Sequence, residues 1–373
     1  MRFVPAHFTK PSPIRTIIGF GIAIVLLYLV APALLSQFRL ELLGKYLAWA
    51  IVAVGIGLAW GRGGLLTLGQ GVFFGLGAYA MAMYLKLSET PDGQVPDFMK
   101  LYGSVDQLPA YWEPFRHWWF AIPAIVLVPA GLAYLLGAMI FRRGVRGAYF
   151  AILSQALAAA LAIFIVGQQG TTGGTNGLTD LKNFFGYDLN DADNRKMVYF
   201  LIAGVLLASV ALIRQLMYCR YGELLVATRD AHQRVRFLGY NPARVLTSAF
   251  AVSAGLAGLG GAAFVSIVGA INPASIGVVP SIAFIIGVAV GGRATLLGPV
   301  LGAIAVAWAT TYASEALPSQ WLYVQGGLLI IVVAFLPGGL ATLPQALRSI
   351  KDRFGSSDDS KPSTPRTLTE VEA

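Results

Sequence analysis

Long apolar segments separated by short polar ones dominate the chain. They lie at about 16–36, 40–60, 65–86, 119–141, 147–168, 197–217, 245–269, 280–292, 294–313 and 320–337. A helix needs about 20 apolar residues to cross the hydrocarbon core of a bilayer, and most of these runs have that length. The run at 280–292 is too short, which predicts a tilted, broken or re-entrant segment. The pattern predicts an all-α fold, a polytopic transmembrane helical bundle with about 8–10 spanning segments.

The two ends of the chain differ from this predicted transmembrane domain, which covers residues 16–345. Residues 1–15 carry Arg2, Lys10 and Arg15 and are predicted to be a cytoplasmic amino-terminal segment. The first apolar run resembles a signal peptide with a basic leader. Its length and the second run that follows within a few residues favour a retained first helix. Residues 346–373 are polar and contain proline and serine, which predicts a disordered cytoplasmic tail.

The distribution of charge between the apolar runs predicts the orientation. With ten crossings and the amino terminus inside, the inner segments hold fourteen basic residues and two acidic ones, Glu223 and Asp230. Short loops rich in lysine and arginine stay in the cytoplasm, so both termini are predicted to be cytoplasmic. The long outer segments at 87–118 and 169–196 are predicted to cap the extracytoplasmic mouth.

Composition agrees with lipid as the main solvent and excludes several functions. The chain is 56% hydrophobic and 12% charged, with 43 glycines that suit close helix packing in a membrane. Its net charge of +9 comes from basic residues dispersed among short loops, which argues against nucleic-acid binding. Cys219 is the single cysteine, so neither an intrachain disulfide nor a thiolate metal cluster is expected.

The residues that would carry catalysis or proton coupling are missing from the apolar runs. The sequence contains no GxxxxGK[ST] motif, so no nucleotide phosphate site of that kind is expected in this chain. Its histidines, His7, His117 and His232, lie in predicted loops or at run ends. The runs also have essentially no carboxylate near their centres, which argues against a proton symporter or an intramembrane metalloenzyme. We therefore predict no catalytic residue, no metal site and no cofactor in this chain.

The inner segment YGELLVATRDAHQRVRFLGYN at 221–241 reads as a helix that does not enter the membrane. Asp230 and Arg234 have the spacing of an i,i+4 ion pair, and Gly239 supplies a helix stop. An apolar stripe is predicted on one face, formed by Leu224, Ala227, Ala231, Val235 and Leu238. A basic helix lying on anionic lipid is the alternative interpretation.

This segment resembles the coupling loop of ABC importer permeases of the branched-chain amino acid type. The resemblance extends over roughly residues 20–340, including LTLGQGVFFGLGAY at 66–79, TGGTNGLTDL at 172–181, GLAGLGGA at 255–262 and GVAVGGRATLLGPVLGA at 287–303. It implies a permease subunit of a bacterial inner membrane. The implied partners are a homologous permease chain, two ABC ATPase subunits that use the ATP, and an extracytoplasmic solute-binding protein. The implied contacts to the ATPase are Gly222, Glu223, Ala227, Arg229, Asp230 and Gly239.

Within that family, VPDFM at 95–99 and the tryptophan-rich stretch at 108–119 favour a resemblance to urea permease subunits. Amides and hydroxyls within the apolar runs would suit a neutral solute such as urea. The pathway candidates are Gln70, Ser154, Gln155, Asn176 and Thr179. Hydrogen bonding between helices is an equally good explanation for Ser154 and Gln155.

Two alternatives to urea import remain open. A branched-chain amino acid is a zwitterion and would require charge-compensating groups or helix termini, which the sequence does not reveal. A passive small-solute channel would have no need of a helix for an ATPase to move. An ATP-driven importer of urea or short amides is the first prediction.

Overall fold

The computed structural model describes residues 13–316 apart from 92–93, 104–106 and 294, together with 320, 323, 326–327 and 330. The predicted last span at 320–337 lies largely outside the described residues. The predicted tail at 346–373 lies entirely outside them, as do the first twelve positions of the predicted amino-terminal segment.

The long helices follow the apolar runs closely. Their bounds are α1 Pro13–Val25, continued by a π-helical turn Leu26–Val30 and α2 Ala31–Leu34; α3 Gln37–Ile56, continued by a π-helical turn Gly57–Arg62; α4 Gln70–Glu89; α6 Trp118–Arg142; α7 Ala148–Gly167; α9 Ala192–Tyr218; α12 Pro242–Val268; α13 Val278–Gly291; and α14 Gly298–Ala316. In the described part of the chain, eight helical segments are long and apolar enough to span a membrane. The prediction of an all-α polytopic bundle is confirmed.

Short elements connect these helices. They are α5 Asp97–Gly103, a 3-10 turn Glu113–Arg116, α8 Gln169–Thr172, the antiparallel strands β1 Asn183–Phe184 and β2 Tyr187–Asp188, α10 Arg220–Asp230, α11 His232–Phe237 and a 3-10 turn Pro273–Ser275. The segments at 87–118 and 169–196 pack on each other, since the Trp112 indole donates to the Thr171 carbonyl at 3.1 Å. They lie at one end of the bundle, as the predicted topology requires.

Helix α12 lies at the centre, between α3, α4 and α6. Small residues let these helices approach. A side chain at Gly77 of α4 would overlap the Gly258 backbone of α12, and one at Gly261 would overlap the Phe74 carbonyl oxygen. Such backbone contact gives dispersion energy that does not depend on excluding water, which is how helices associate in lipid. The glycine-rich strings therefore serve helix packing.

The loops sort into two ends, as an alternating topology demands. At the first, Arg229 donates to the Gly61 carbonyl at 2.7 Å and Arg146 contacts His232. At the opposite end, Arg195 pairs with Glu41 at 3.0 Å. We call the first the arginine-rich end. Which end faces the cytoplasm stays a prediction.

One span begins later than the apolar pattern predicts. The run at 65–86 indicated a helix from about residue 65, whereas α4 begins at Gln70 and residues 65–69 are not helical. Gly64 adopts a φ of +70°, a left-handed conformation that glycine takes without steric cost. The chain turns there and enters the bundle without helical structure as far as Gly69, which places the start of α4 inside the protein.

Candidate functional site

Two helix amino termini meet inside the bundle. The backbone N–H of Gly71, in the first turn of α4, donates to Ser281 Oγ of α13 at 2.9 Å. Ser281 is completely buried, and its hydroxyl donates to the Gly277 carbonyl at 2.8 Å. A side chain at Gly71 would overlap the Ile276 carbonyl oxygen, so only glycine permits this approach. One serine hydroxyl thus joins the starts of α4 and α13.

Gln70, the strongest pathway candidate of the sequence, lies at this junction and is completely buried. Its Nε2 donates to both the carbonyl and the hydroxyl oxygen of Ser253, at 3.0 Å each. Because the Ser253 carbonyl only accepts, the amide orientation is fixed. Its Oε1 has no hydrogen-bond partner among the described residues, and neither does the equally buried Thr67 Oγ1. An unpaired buried acceptor costs about 1–3 kcal/mol, so this oxygen is suited to receive a donor from a ligand.

The junction lies well inside the bundle. A side chain at Gly55 of α3 would come within 3.0 Å of the Ser253 carbonyl oxygen. Gly55 precedes Arg62, at the arginine-rich end, by seven residues. At 1.5 Å per residue, Gln70 therefore lies roughly 10 Å inside that end. Helix α13 has 14 residues and rises only ~21 Å, so the predicted short, broken span starts within the bundle.

This arrangement creates a positive electrostatic potential without a charged side chain. A helix amino terminus carries about half a positive charge, and two of them converge here. The side chains that surround them are neutral. Thr67, Gln70, Ser154, Ser253 and Ser281 are all at least nine-tenths buried, and we call them the buried polar layer. Interrupted helices whose amino termini face an anionic substrate group are a known way to build transport sites near the membrane midplane.

Ser154 has a supporting place in the layer. Its Oγ accepts from the Leu68 backbone N–H at 3.0 Å and donates to the Ala151 carbonyl at 2.8 Å. These bonds hold the non-helical segment before α4, which supports a structural role for Ser154. Gln155, the next residue of α7, is half-buried.

Asn176 and Thr179 lie at the opposite end of the bundle, in the lining of a cavity of about 490 Å³. The Lys86 ammonium, in the last turn of α4, donates to the Thr179 carbonyl there at 3.4 Å. The hydrogen bond from Lys182 holds the pKa of Asp180 below its usual range, so this carboxylate in the lining is ionised. The cavity is also lined by Asp97 and Asn272. The five pathway candidates therefore do not form one site.

Helix α4 connects the two places. Gln70 and Lys86 are sixteen residues apart on one helix, or ~24 Å along its axis. Sequence reasoning missed Thr67, Ser253, Ser281 and Lys86. The first three are polar residues within apolar runs, the same signal that identified Gln70.

The segment predicted as one helix at 221–241 is two helices. Helix α10 ends at Asp230, and Ala231 breaks the backbone with φ −141° and ψ 56° before α11 begins. The predicted Asp230–Arg234 pair is wrong, because Asp230 binds the adjacent Arg229 at 2.7 Å. The predicted apolar stripe is also wrong in part, since α10 buries Gly222, Leu225 and Thr228 instead.

Other features of that segment agree with the prediction. Gly239 stops α11 with a φ of +85°. Its N–H bonds the Arg236 carbonyl at 3.1 Å, and the Tyr240 N–H bonds the Val235 carbonyl at 3.3 Å, which satisfies the end of the helix. Phe237 and Leu238 are 89% and 75% exposed at the arginine-rich end. This pair, which we call the apolar tip, is available for contact with another surface.

His232 ties α11 to the loop between α6 and α7. Its Nε2 contacts the Arg146 guanidinium, which can only donate, so this nitrogen is the acceptor of a neutral imidazole. Burial lowers the pKa of His232, and the charges of Arg146 and Arg236 lower it further. Electrostatics therefore favours the neutral form that the contact requires.

The described part of the chain is a bundle of membrane-length helices in which α4 and α13 begin inside the protein, an architecture typical of integral membrane transport proteins. The chain belongs to the family described as "Branched-chain amino acid transport system / permease component", whose model matches residues 38–333. It is similar to the high-affinity branched-chain amino acid transport system permease protein LivM of Escherichia coli (strain K12), with 24% identity over 360 residues, covering 90% of this chain and 77% of that protein. The LivM protein of Salmonella typhimurium (strain LT2) is 24% identical over 359 residues with the same coverage. No solved structure matches the chain.

Proposed function

We propose that this chain is the permease subunit of an ATP-driven ABC importer and that its substrate is a branched-chain amino acid. The observation that carries the substrate assignment is the meeting of the α4 and α13 amino termini at the Gly71–Ser281 hydrogen bond. This junction supplies the positive potential that an amino acid carboxylate requires, and it does so without a fixed charge that would hold the substrate too tightly.

The surroundings of the layer suit the rest of an amino acid. Gln70 Oε1 has no hydrogen-bond partner among the described residues and can accept a hydrogen bond from the substrate. Phe284 packs against Trp49 and Phe74 with ring centroids 5.1 and 5.3 Å apart, and it lies on α13 three residues after Ser281. Aromatic faces of this kind would surround a branched aliphatic side chain. Urea has neither an anionic group nor an apolar one. A branched-chain amino acid, the alternative left open by the sequence, therefore has more support as the substrate than urea.

The cavity at the opposite end supports the same choice. Its lining carries charges of both signs, Lys86, Asp97 and Asp180. Groups of both signs can replace the hydration of a zwitterion as it is transferred from a binding protein. A neutral diamide would gain little from them.

The relatives named above are permease proteins of transport systems, which suggests partners for this chain. We propose that it works in a bacterial plasma membrane with its termini in the cytoplasm. It would assemble with a second permease chain, two ABC ATPase subunits and an extracytoplasmic solute-binding protein. The apolar tip Phe237–Leu238, next to α10, would dock into an ATPase subunit.

The test is uptake by the complete transporter in proteoliposomes. We expect ATP-dependent uptake of labelled leucine that excess isoleucine suppresses and excess urea does not. Labelled urea uptake that leucine fails to suppress would restore the urea prediction. Leucine uptake that proceeds equally well without ATP would show a channel instead.

A further inference from the structure

The side chain of Arg229 is clamped between its own helix and the α3–α4 connection. Its Nη1 donates to the Gly61 carbonyl at 2.7 Å. Its Nε and Nη2 bind the two carboxylate oxygens of Asp230 at 2.7 and 3.1 Å. The planar guanidinium is therefore fixed along one edge by Asp230 while it holds the backbone of another element.

The stem of Arg229 fits the same connection. A side chain at Gly64 would come within 2.7 Å of Arg229 Cγ, so the aliphatic stem lies directly on this glycine. One helical turn earlier on α10, Leu225 Cδ2 would lie 3.7 Å from a side-chain carbon at Gly63. Helix α10 thus contacts Gly61, Gly63 and Gly64 within residues 61–64, which we call the connecting segment.

The connecting segment leads to both helices that meet at the buried polar layer. Beyond Gly64 the chain is not helical up to Gly69, and Gln70 then begins α4. On its other side, a side chain at Gly61 would overlap the Arg293 carbonyl oxygen, just beyond the end of α13. The Arg293 guanidinium lies 5.0 Å from the centre of the Trp60 ring. A displacement of Gly61 would therefore move the chain before α4 and the chain after α13 together.

We propose that Arg229 is a positioning residue that transmits the movement of α10 to the buried polar layer through the connecting segment. The inference rests on the proposed importer function, because it assumes that an ATPase moves α10. Helix α10 is joined in sequence to α9 through Cys219, in an extended conformation with ψ of 174°. The contact of Arg229 with the connecting segment gives movement of α10 a shorter route to Gln70 and Ser281 than the covalent link through α9 does. Arg229 thus couples ATP hydrolysis to opening of the substrate site.

Two variants break this contact in different ways. Arg229→Gln removes the positive charge and the guanidinium group that binds Asp230 and the Gly61 carbonyl at the same time. Gly64→Ala leaves Arg229 intact but places a methyl group against its stem, at a φ of +70° that alanine disfavours. Arg143→Gln is the matched control, because Arg143 is an exposed arginine at the same end of the bundle.

The experiment measures leucine uptake, ATP hydrolysis and ATPase co-purification for each complete complex in proteoliposomes. We expect Arg229→Gln and Gly64→Ala to keep their ATPase subunits and to hydrolyse ATP. The leucine imported per ATP should fall at least tenfold in both and stay unchanged in Arg143→Gln. An unchanged ratio in both variants overturns the inference. Loss of the ATPase subunits from both also overturns it, since Arg229 would then serve assembly. If the unaltered complex imports no leucine, it is the proposed function that fails.

Discussion

Ser281 Oγ lies 2.9 Å from the backbone nitrogen of Gly71, so a single hydroxyl on α13 binds the first turn of α4. Helix amino termini leave backbone N–H groups without partners, and such groups are costly when they are buried. The hydroxyl accepts from one of them and donates its own hydrogen bond to the Gly277 carbonyl. A substrate carboxylate would find the remaining donors at the same place, which connects this structural bond to transport.

Removing that hydroxyl should impair transport more than folding. Ser281→Ala leaves the Gly71 N–H without an acceptor, at a cost of about 1–3 kcal/mol in the local structure of the junction. We expect the KM for leucine to rise about tenfold while the amount of protein in the membrane stays normal. Ser266→Ala is the control, because Ser266 is equally buried and bonds only the Ala262 carbonyl of its own helix. Equal effects of the two variants would contradict the assignment.

A negative charge at the start of α4 should distinguish an amino acid from a neutral substrate. Gln70→Glu places a carboxylate where two helix termini favour one, and it would compete with the substrate's own carboxylate. Gln70→Met removes the same bonds to Ser253 without adding charge. We expect leucine uptake at low concentration to be about tenfold weaker in Gln70→Glu than in Gln70→Met, which is about 1.4 kcal/mol. Identical uptake in the two variants would remove the electrostatic argument for a carboxylate.

The sequence predicted the spans well because a bilayer imposes a length of about 20 apolar residues. It misplaced the start of α4 because LLTLG at 65–69 is apolar whether it is helical or extended. The non-helical form is held by Ser154, which binds Leu68 from another helix. Similarly, no glycine or proline marks the break at Ala231. The predicted continuous helix would bury Leu224 and Ala227. In the structure, α10 buries Leu225 and Thr228 instead, and α11 buries Val235.

The candidate site shows the same limit. Gln70 is an amide in an apolar run, so its position in the sequence was enough to identify it as a candidate site residue. Ser281 and Ser266 are both serines in apolar runs, and only the packing of α13 against α4 separates a bridging hydroxyl from one that bonds its own helix. The helix termini that a zwitterion requires could not be found before the interruption at Gly277 was known.

The contact between His232 and Arg146 should make stability depend on pH. Burial lowers the pKa of His232 below its ordinary 6.5, so the folded protein resists a proton that the unfolded chain accepts. The stabilising contribution is complete above pH 6.5 and is lost as the pH falls through the lowered pKa. Between pH 7.5 and 5.5, the thermal unfolding midpoint should fall more for the unaltered protein than for His232→Gln. His117→Gln, at the opposite end, should keep the full pH dependence, and an equal fall in all three proteins would refute the prediction.

The orientation can be tested through Cys219, the only native cysteine, which is exposed at the arginine-rich end. If that end is cytoplasmic, an impermeant thiol reagent applied to intact cells should not label it. Lys100→Cys, at the opposite end, should react, because Lys100 is exposed on α5. Labelling of Cys219 before the cells are opened would invert the orientation.

The apolar tip Phe237–Leu238 should be needed for ATPase binding. Phe237 is 89% exposed beside the Gly239 stop, so an aspartate there disturbs no internal packing. An aromatic side chain buried in a partner contributes about 2 kcal/mol or more when it acts as an interface anchor, and a charge in its place adds a desolvation cost. We therefore expect Phe237→Asp to reach the membrane at normal levels and to retain less than a tenth of the ATPase subunits. Leu101→Asp, with Leu101 74% exposed at the opposite end, is the matched control and should retain them. If the segment instead lies on anionic lipid, Phe237→Asp would keep its ATPase subunits, because only membrane contact would weaken.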